Sequence, residues 1–327
     1  MKKRLLSGMR PTGKMHLGHL FGALGNWTGL QDKYSCFFMV ADWHALMSEY
    51  KNAGCMKEFI IEMTADWISA GVDPDKSAIF LQSDVKEHLE LSMVLSDIMP
   101  LSWLERCPTY KEQLREIKGK DLTTYGFLGY PVLQAADILI YKAEAVPVGQ
   151  DQLPHLELTR EIARRFNHFY KGNIFPDPEP VLTKTSKILG LDNRKMSKSY
   201  DNFISLSDTA DVIKKKASSM ITDPQRIKKT DPGHYDICNV FSYYNLFKPE
   251  TADEVKAWCK EAQKGCTECK HILADIIIKH LEPIIEKRTN LLKDKAYLHD
   301  VLKEGAKKAS DVTAKTMHEV YKAIGMK

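Results

Sequence analysis

The chain has 327 residues, and 47 Lys and Arg against 43 Asp and Glu leave a net charge of +4, too small to mark a surface built for partners of one sign. With 43% hydrophobic and 28% charged residues it is too apolar for a disordered chain, and its length suits about two globular domains. Apolar runs such as Cys36–Ala41 and Ala145–Gly149 fall far short of the ~20 residues of a membrane helix, so no transmembrane protein is expected.

The basic start, Met1-Lys2-Lys3-Arg4, is followed only by Leu5 and Leu6, where a secretory signal needs about 7 to 15 apolar residues. A cytoplasmic location is expected, and the 7 cysteines read as thiols or metal ligands before disulfides. Arg4–Ser7 is the first expected strand, and the aromatic-rich Tyr34–Asp42 is a buried second one. Ser77–Gln82 and Val146–Gly149 follow. Between them, Phe59, Ile60, Met63, Ala65, Trp67 and Ile68 share the apolar face of one helix, and Leu89, Leu91, Met93, Val94, Leu95 and Ile98 that of another. This alternation predicts an α/β fold, a parallel sheet with helices on both faces and ligands at the carboxyl ends of its strands. After about Asn202 the strand signal fades, and helices are expected over 211–220, 252–263, 270–287 and 307–324. The expected division is a sheet domain over 1–204 and an all-helical domain over 205–327.

The segment Gly8-Met9-Arg10-Pro11-Thr12-Gly13-Lys14 follows the first strand and precedes a helix, where glycines let backbone approach a phosphate. It mimics a P-loop, but that motif needs Ser or Thr after the lysine for magnesium, and this chain has Met15. What remains is His16-Leu17-Gly18-His19. Two histidines three apart share a face at a helix start, and Gly18 leaves room for a flat adenine or ribose; two capping or core histidines are the plainer reading. Far downstream, Lys195-Met196-Ser197-Lys198-Ser199 lies in a polar loop whose lysines either clamp a polyphosphate or are simply solvated.

Taken together, these two segments resemble the HIGH and KMSKS signatures of the class I aminoacyl-tRNA synthetases. The middle of the chain, Gly129-Tyr130-Pro131-Val132-Leu133-Gln134-Ala135-Ala136-Asp137-Ile138-Leu139 with Val146-Pro147-Val148-Gly149-Gln150-Asp151-Gln152, is similar to the tryptophanyl-tRNA synthetases among them. The likeness runs from about Leu6 to Ser199 and continues into the helical part. It implies a Rossmann-like catalytic domain, a helical anticodon-binding domain, and a ligase that activates L-tryptophan with ATP and Mg²⁺ and passes it to tRNA(Trp). It also implies a homodimer packed around Leu104–Lys111, with no DNA partner. His16, His19, Lys195 and Lys198 would be the catalytic groups. Met9, Arg10, Pro11, Thr12, Gly18, Gly149, Gln150, Asp151, Ile188, Met196, Ser197 and Ser199 would line the ATP site with them. Tyr130 and Gln152 would hold the α-amino group, Asp137 would read the indole N–H, and Gln134 would floor the pocket. Gln134 and Gln150 depart from the Met and Glu of many bacterial members.

The residues themselves make Asp137 informative. Tyr130, Gln134, Asp137 and Tyr141 fall on one helical stripe amid apolar neighbours. A carboxylate there costs several kcal/mol unless paired, so it either bridges neighbouring elements or meets a donor. An indole has one polar atom, an N–H donor. Phenylalanine lacks it, and a site built on such a bond rejects the lacking analogue by about 10⁴ to 10⁵. His44, after the second strand, either approaches this pocket or is a satisfied core histidine.

Cys238, Cys259, Cys266 and Cys269 form C-x20-C-x6-C-x2-C in the helical part, a donor set that suits zinc or an iron–sulfur cluster without deciding between them. The resemblance favours a [4Fe–4S] cluster, with Zn²⁺ second, because some of these synthetases carry a cluster on a similar quartet with a slightly longer first gap. The competing readings are a tyrosyl-tRNA synthetase of the same class, a small-molecule nucleotidylyltransferase, and a non-catalytic RNA-binding protein. The last would not need both signatures intact.

Overall fold

The computed structural model describes residues 2–116, 121–182 and 188–326; the side chains of Thr109, Gln113, Glu116, Asp151 and Ser199 fall outside that description. Five parallel strands form one sheet: β1 (Arg4–Met9), β2 (Ser35–Val40), β3 (Ser77–Leu81), β4 (Ala145–Val148) and β5 (Glu179–Leu182), in the order β3-β2-β1-β4-β5. Register runs from Arg4↔Ser35 to Met9↔Val40, and from Cys36↔Ser77 to Val40↔Leu81. β2 is buried from Cys36 to Val40, which is why its sequence is continuously apolar rather than alternating.

The expected strands all appear, with the second ending at Val40 so that Asp42 opens a helix, Asp42–Glu49. β5 was not expected. It holds only four residues, and Pro180 among them is tolerated because β5 is an edge strand. The helix Asn239–Phe247 was also not expected.

The packing does not divide at residue 204. One compact unit comprises Met1–Gly13, Ala23–Lys184 and Leu291–Lys327, and the other comprises Lys14–Gly22 and Thr185–Asn290. The first unit holds the sheet. On one face Trp27 stacks on Phe38 at 4.4 Å and meets Trp67 edge-on at 4.9 Å. On the other, Phe37, Phe80, Leu91, Leu139, Tyr141 and Phe166 form a core that also takes in Ala306, Ala309, Met317 and Val320. These last four belong to the helix Lys295–Ile324, which the sequence pattern assigned to the helical domain but which packs along β3. Gly305 makes the approach possible, because a Cβ there would run into the backbone of Ile79.

The second unit is helical, built on Ala210–Ser219, Asn239–Phe247, Ala252–Lys260 and most of Cys266–Lys293. Its interior contains Met15, Leu17, Ile204, Ile213, Tyr243 and Leu273. No helix among the described residues is long and apolar enough to cross a membrane.

Candidate active site

In the sheet unit, Met9–Thr12 leave the carboxyl end of β1, and Gly149–Gln152 leave the same end of its neighbour β4. The chain builds β1, β2 and β3 outward in one direction and places β4 on the other side of β1, so these loops flank the point where strand order reverses. That is where open parallel sheets bind ligands. Pro11 is buried, Arg10 and Gln150 are exposed, and Gly149 and Gln152 are half-buried. The Asp151 side chain lies outside the described residues.

Asp137 sits on the helix Tyr130–Ile140 with 2% of its surface exposed. It is not left alone. Oδ1 accepts from Gln82 Nε2 at 2.8 Å and pairs with His88 Nδ1 at 2.7 Å, while Oδ2 pairs with His44 Nε2 at 2.7 Å. Burial would raise the carboxyl pKa, but the charge and hydrogen bond of His44 and those of His88 outweigh it and hold it below the ordinary value. A carboxylate has about four lone-pair directions, so three donors leave one on Oδ2. Both readings of His44 therefore merge: it is half-buried and paired, and it belongs to this carboxylate. Sequence reasoning missed Gln82 and His88, both 0% exposed. The only sign of them was a polar residue closing an apolar strand and a histidine inside an apolar helix face. Tyr130, also buried, places its hydroxyl 3.3 Å from His155 Nε2, and Gln134 is half-buried one turn before Asp137.

The helical unit holds the other motifs. His16 caps a short helix, its Nδ1 accepting the Gly18 N–H at 3.1 Å, while His19 Nδ1 accepts the His16 N–H at 3.2 Å. A neutral imidazole that accepts at Nδ1 carries its hydrogen on Nε2. Burial, reinforced by Lys198, pushes His16 down to about 4, and burial, His16 and Lys198 push His19 well below its ordinary value. Both rings are thus neutral Nε2–H donors at pH 7, their planes tilted 47° to each other with centroids 3.9 Å apart. A Cβ at Gly18 would lie 2.8 Å from His16 Cε1, so the glycine makes room for the His16 ring.

Met196 brings the second motif alongside: its Sδ is 3.8 Å from that same Cβ position. The chain after it pairs with the first motif, Leu17 N–H donating to Ile204 C=O at 3.1 Å and Leu206 N–H to Met15 C=O at 3.0 Å. Lys198 lies within electrostatic reach of both imidazoles, and Lys195 is exposed. Asn202, 3% exposed, ties the loop together. Its Oδ1 accepts the Ser197 N–H at 2.8 Å, and its Nδ2 donates to Asp192 Oδ1 at 2.6 Å and to Lys195 C=O at 3.2 Å. The Ile188 carbonyl accepts the Met196 N–H at 3.0 Å, which leaves its own N–H for any other contact. The Ser199 side chain lies outside the described residues. Asn202 carried no motif signal, and its role rests on contacts the sequence does not display.

The four cysteines gather in this unit. Cys238 precedes the helix Asn239–Phe247, Cys259 lies in the last turn of Ala252–Lys260, and Cys266 and Cys269 lie in the first turn of Cys266–Lys293. Cys269 feels the charge of the other three, and burial pushes its thiol up to about 11. Arg226 Nη1 lies 3.9 Å from Cys266 Sγ, and its buried Nε has no hydrogen-bond partner. Among the described residues, no group of three or more His, Cys, Asp or Glu is arranged to hold a metal ion, so neither the expected [4Fe–4S] cluster nor the zinc alternative has a metal-binding geometry behind it.

Residues 1–282 match the family model of class I tRNA synthetases (W and Y). A tryptophan–tRNA ligase of Thermotoga maritima is 49% identical over 99% of this chain and 99% of its own, and one from Aquifex aeolicus is 44% identical over 99% and 100%. A crystal structure of tryptophanyl-tRNA synthetase from Campylobacter jejuni, complexed with ADP and tryptophan, superposes with a TM-score of 0.91 at 34% identity, covering 98% of this chain and 99% of that one. A tyrosyl-tRNA synthetase from Archaeoglobus fulgidus, at 20% identity and a TM-score of 0.66, shares the fold alone.

Proposed function

The chain belongs to the class I tRNA synthetases of the W and Y family, and on that premise we propose which of its residues do the work. The activity is that of a tryptophan–tRNA ligase: tryptophan is activated with ATP to the adenylate and passed to tRNA. The tyrosyl and nucleotidylyltransferase alternatives give way to relatives of that activity at 40 to 49% identity over nearly the whole chain.

No side chain need act as nucleophile, because the tryptophan carboxylate attacks the α-phosphorus and expels pyrophosphate. The protein supplies placement and charge. His16 and His19 donate Nε2–H to the α-phosphate oxygens as charge builds there. Lys195 and Lys198 hold the leaving β- and γ-phosphates, and Met196 and Ser197 shape their loop. When bound with ATP, Mg²⁺ neutralises further phosphate charge. In the sheet unit, Asp137 accepts the indole N–H on its remaining lone pair, with His44 fixing the carboxylate, Tyr130 and Gln152 holding the α-amino group and Gln134 closing the pocket. Met9, Arg10, Pro11, Thr12, Gly149, Gln150 and Asp151 bind nucleotide at the strand ends. The observation that carries this reading is the neutral, Nε2–H form of both imidazoles beside Lys198.

The same reading gives the helical unit to the anticodon of tRNA(Trp), the cell's cytoplasm as its place of work, and a homodimer as its assembly. The quartet Cys238, Cys259, Cys266 and Cys269 would hold a structural [4Fe–4S] cluster as thiolates. Its support is the mutual electrostatic contact of the thiols and the half-satisfied Arg226 beside them, a counter-charge for an anionic group.

The deciding experiment is tryptophan-dependent ATP–pyrophosphate exchange in Asp137→Ala. The expected result is a loss of about 10³-fold or more in kcat/KM for tryptophan with little change in KM for ATP. Near-normal exchange would end the assignment.

A further inference from the structure

Asp137 is surrounded by more polar machinery than burial requires. His88 bridges two groups, with Nδ1 2.7 Å from Asp137 Oδ1 and Nε2 2.9 Å from the Tyr141 hydroxyl. A carboxylate only accepts, so Nδ1 carries a hydrogen, and in the neutral ring Nε2 accepts from Tyr141 O–H. Tyr141 is fully buried, and burial together with Asp137 and Glu87 raises its phenol well above the ordinary value, so that hydroxyl keeps its proton.

Gln82 is the second anomaly. Its Nε2 donates to Asp137 Oδ1, but its Oε1 is buried with no hydrogen-bond partner. Such an orphan acceptor costs about 1 to 3 kcal/mol. Flipping the amide would point oxygen at oxygen, so the carboxylate dictates the orientation. Stability alone gives no reason to keep an unsatisfied amide, a buried imidazole and a phenol around one carboxylate.

We propose that Gln82, His88 and Tyr141 are positioning residues that saturate Asp137 Oδ1 and turn the last open lone pair of Oδ2 toward the substrate, so that the preference for an indole N–H rests on this aim. The proposal depends on the assignment of Asp137 to tryptophan recognition. Removing Tyr141 O–H leaves His88 Nε2 without its anchor; the ring can then turn and no longer fixes the carboxylate plane. A donor on the ligand loses its directed acceptor, whereas a ligand without a donor loses nothing.

The test compares L-tryptophan with 3-benzothienyl-L-alanine, which has sulfur in place of the indole N–H. ATP–pyrophosphate exchange is measured with each in the wild type, Tyr141→Phe, His88→Asn and Asp137→Ala. Tyr141→Phe keeps the ring and its packing, so it holds the test open if His88→Asn fails to fold. The expected result is that both positioning variants lower the tryptophan-to-analogue ratio of kcat/KM by at least about tenfold, while kcat/KM for the analogue stays within about threefold. A parallel fall for both compounds would make the residues merely structural and overturn the proposal. An unchanged ratio in Tyr141→Phe, with the ratio lost in Asp137→Ala, would overturn it and leave the Asp137 assignment standing. An unchanged ratio in Asp137→Ala would overturn both.

Discussion

The His16 ring lies in the space that a side chain at Gly18 would fill, its Cε1 2.8 Å and its Nδ1 2.9 Å from the Cβ position. The glycine between the two histidines is therefore a seat for the first imidazole. Gly18→Ala should tilt that ring, weaken the bond from the Gly18 N–H to Nδ1 and misaim Nε2–H. Pyrophosphate exchange is expected to fall about 10²-fold, the scale of losing one directed donor, with an unchanged melting profile. An alanine variant at full activity would show that the ring's placement does not matter.

Asn202 gives the lysine loop its shape through three hydrogen bonds, and Gly190 packs against it so closely that a Cβ there would collide with its amide. Asn202→Ala leaves Ser197 N–H and Lys195 C=O without these partners. The expected cost is about 1 to 3 kcal/mol in urea unfolding. A drop of about tenfold in kcat for adenylate formation should accompany it, because the loop is less well placed. Loss of stability with no loss in kcat would separate loop order from catalysis.

The imidazole pair makes stability depend on pH. In the unfolded chain His16 takes up a proton near 6.5, but in the folded protein burial and then Lys198 delay this to about 4. Between those values the unfolded state binds the extra proton, so stability is fully present above about pH 6.5 and declines as pH falls through 4. His19 acts in the same direction. Urea midpoints at pH 7 and pH 5 should differ, and His16→Gln should narrow the difference. An equal difference in that variant would mean that other groups carry the acid sensitivity.

The cysteine quartet is tested by its contents. Protein purified without oxygen should contain about four iron atoms per chain and absorb in the visible, and Cys269→Ser should lose both. Colourless, iron-free protein with four reactive thiols would leave the quartet as plain cysteines.

Much of this was legible from the residues. Strands β1 to β4 announced themselves because buried parallel strands are continuously apolar, and the two signatures announced themselves because phosphate chemistry constrains a short run. Gln82 and His88 were not legible. Their meaning arises only when the end of β3 and the helix Glu87–Asp97 bring them to Asp137, and a single chain carries no mark of that meeting. Of the helix Lys295–Ile324, only 307–324 was recognised as helical, and its neighbours in the sheet unit were not foreseen. Periodicity reports that a face is apolar and is silent about what covers it. Gly305, with the Ile79 backbone against it, was the available clue, since a glycine inside a long helix costs about 1 kcal/mol unless something approaches closely.

That contact also orders events in time. β3 is synthesised early, yet the surface that shields it lies on residues made long afterward. Until Ile324 has been made, the helix that covers the outer strand is incomplete, and a growing chain that has formed the sheet exposes that edge to its neighbours.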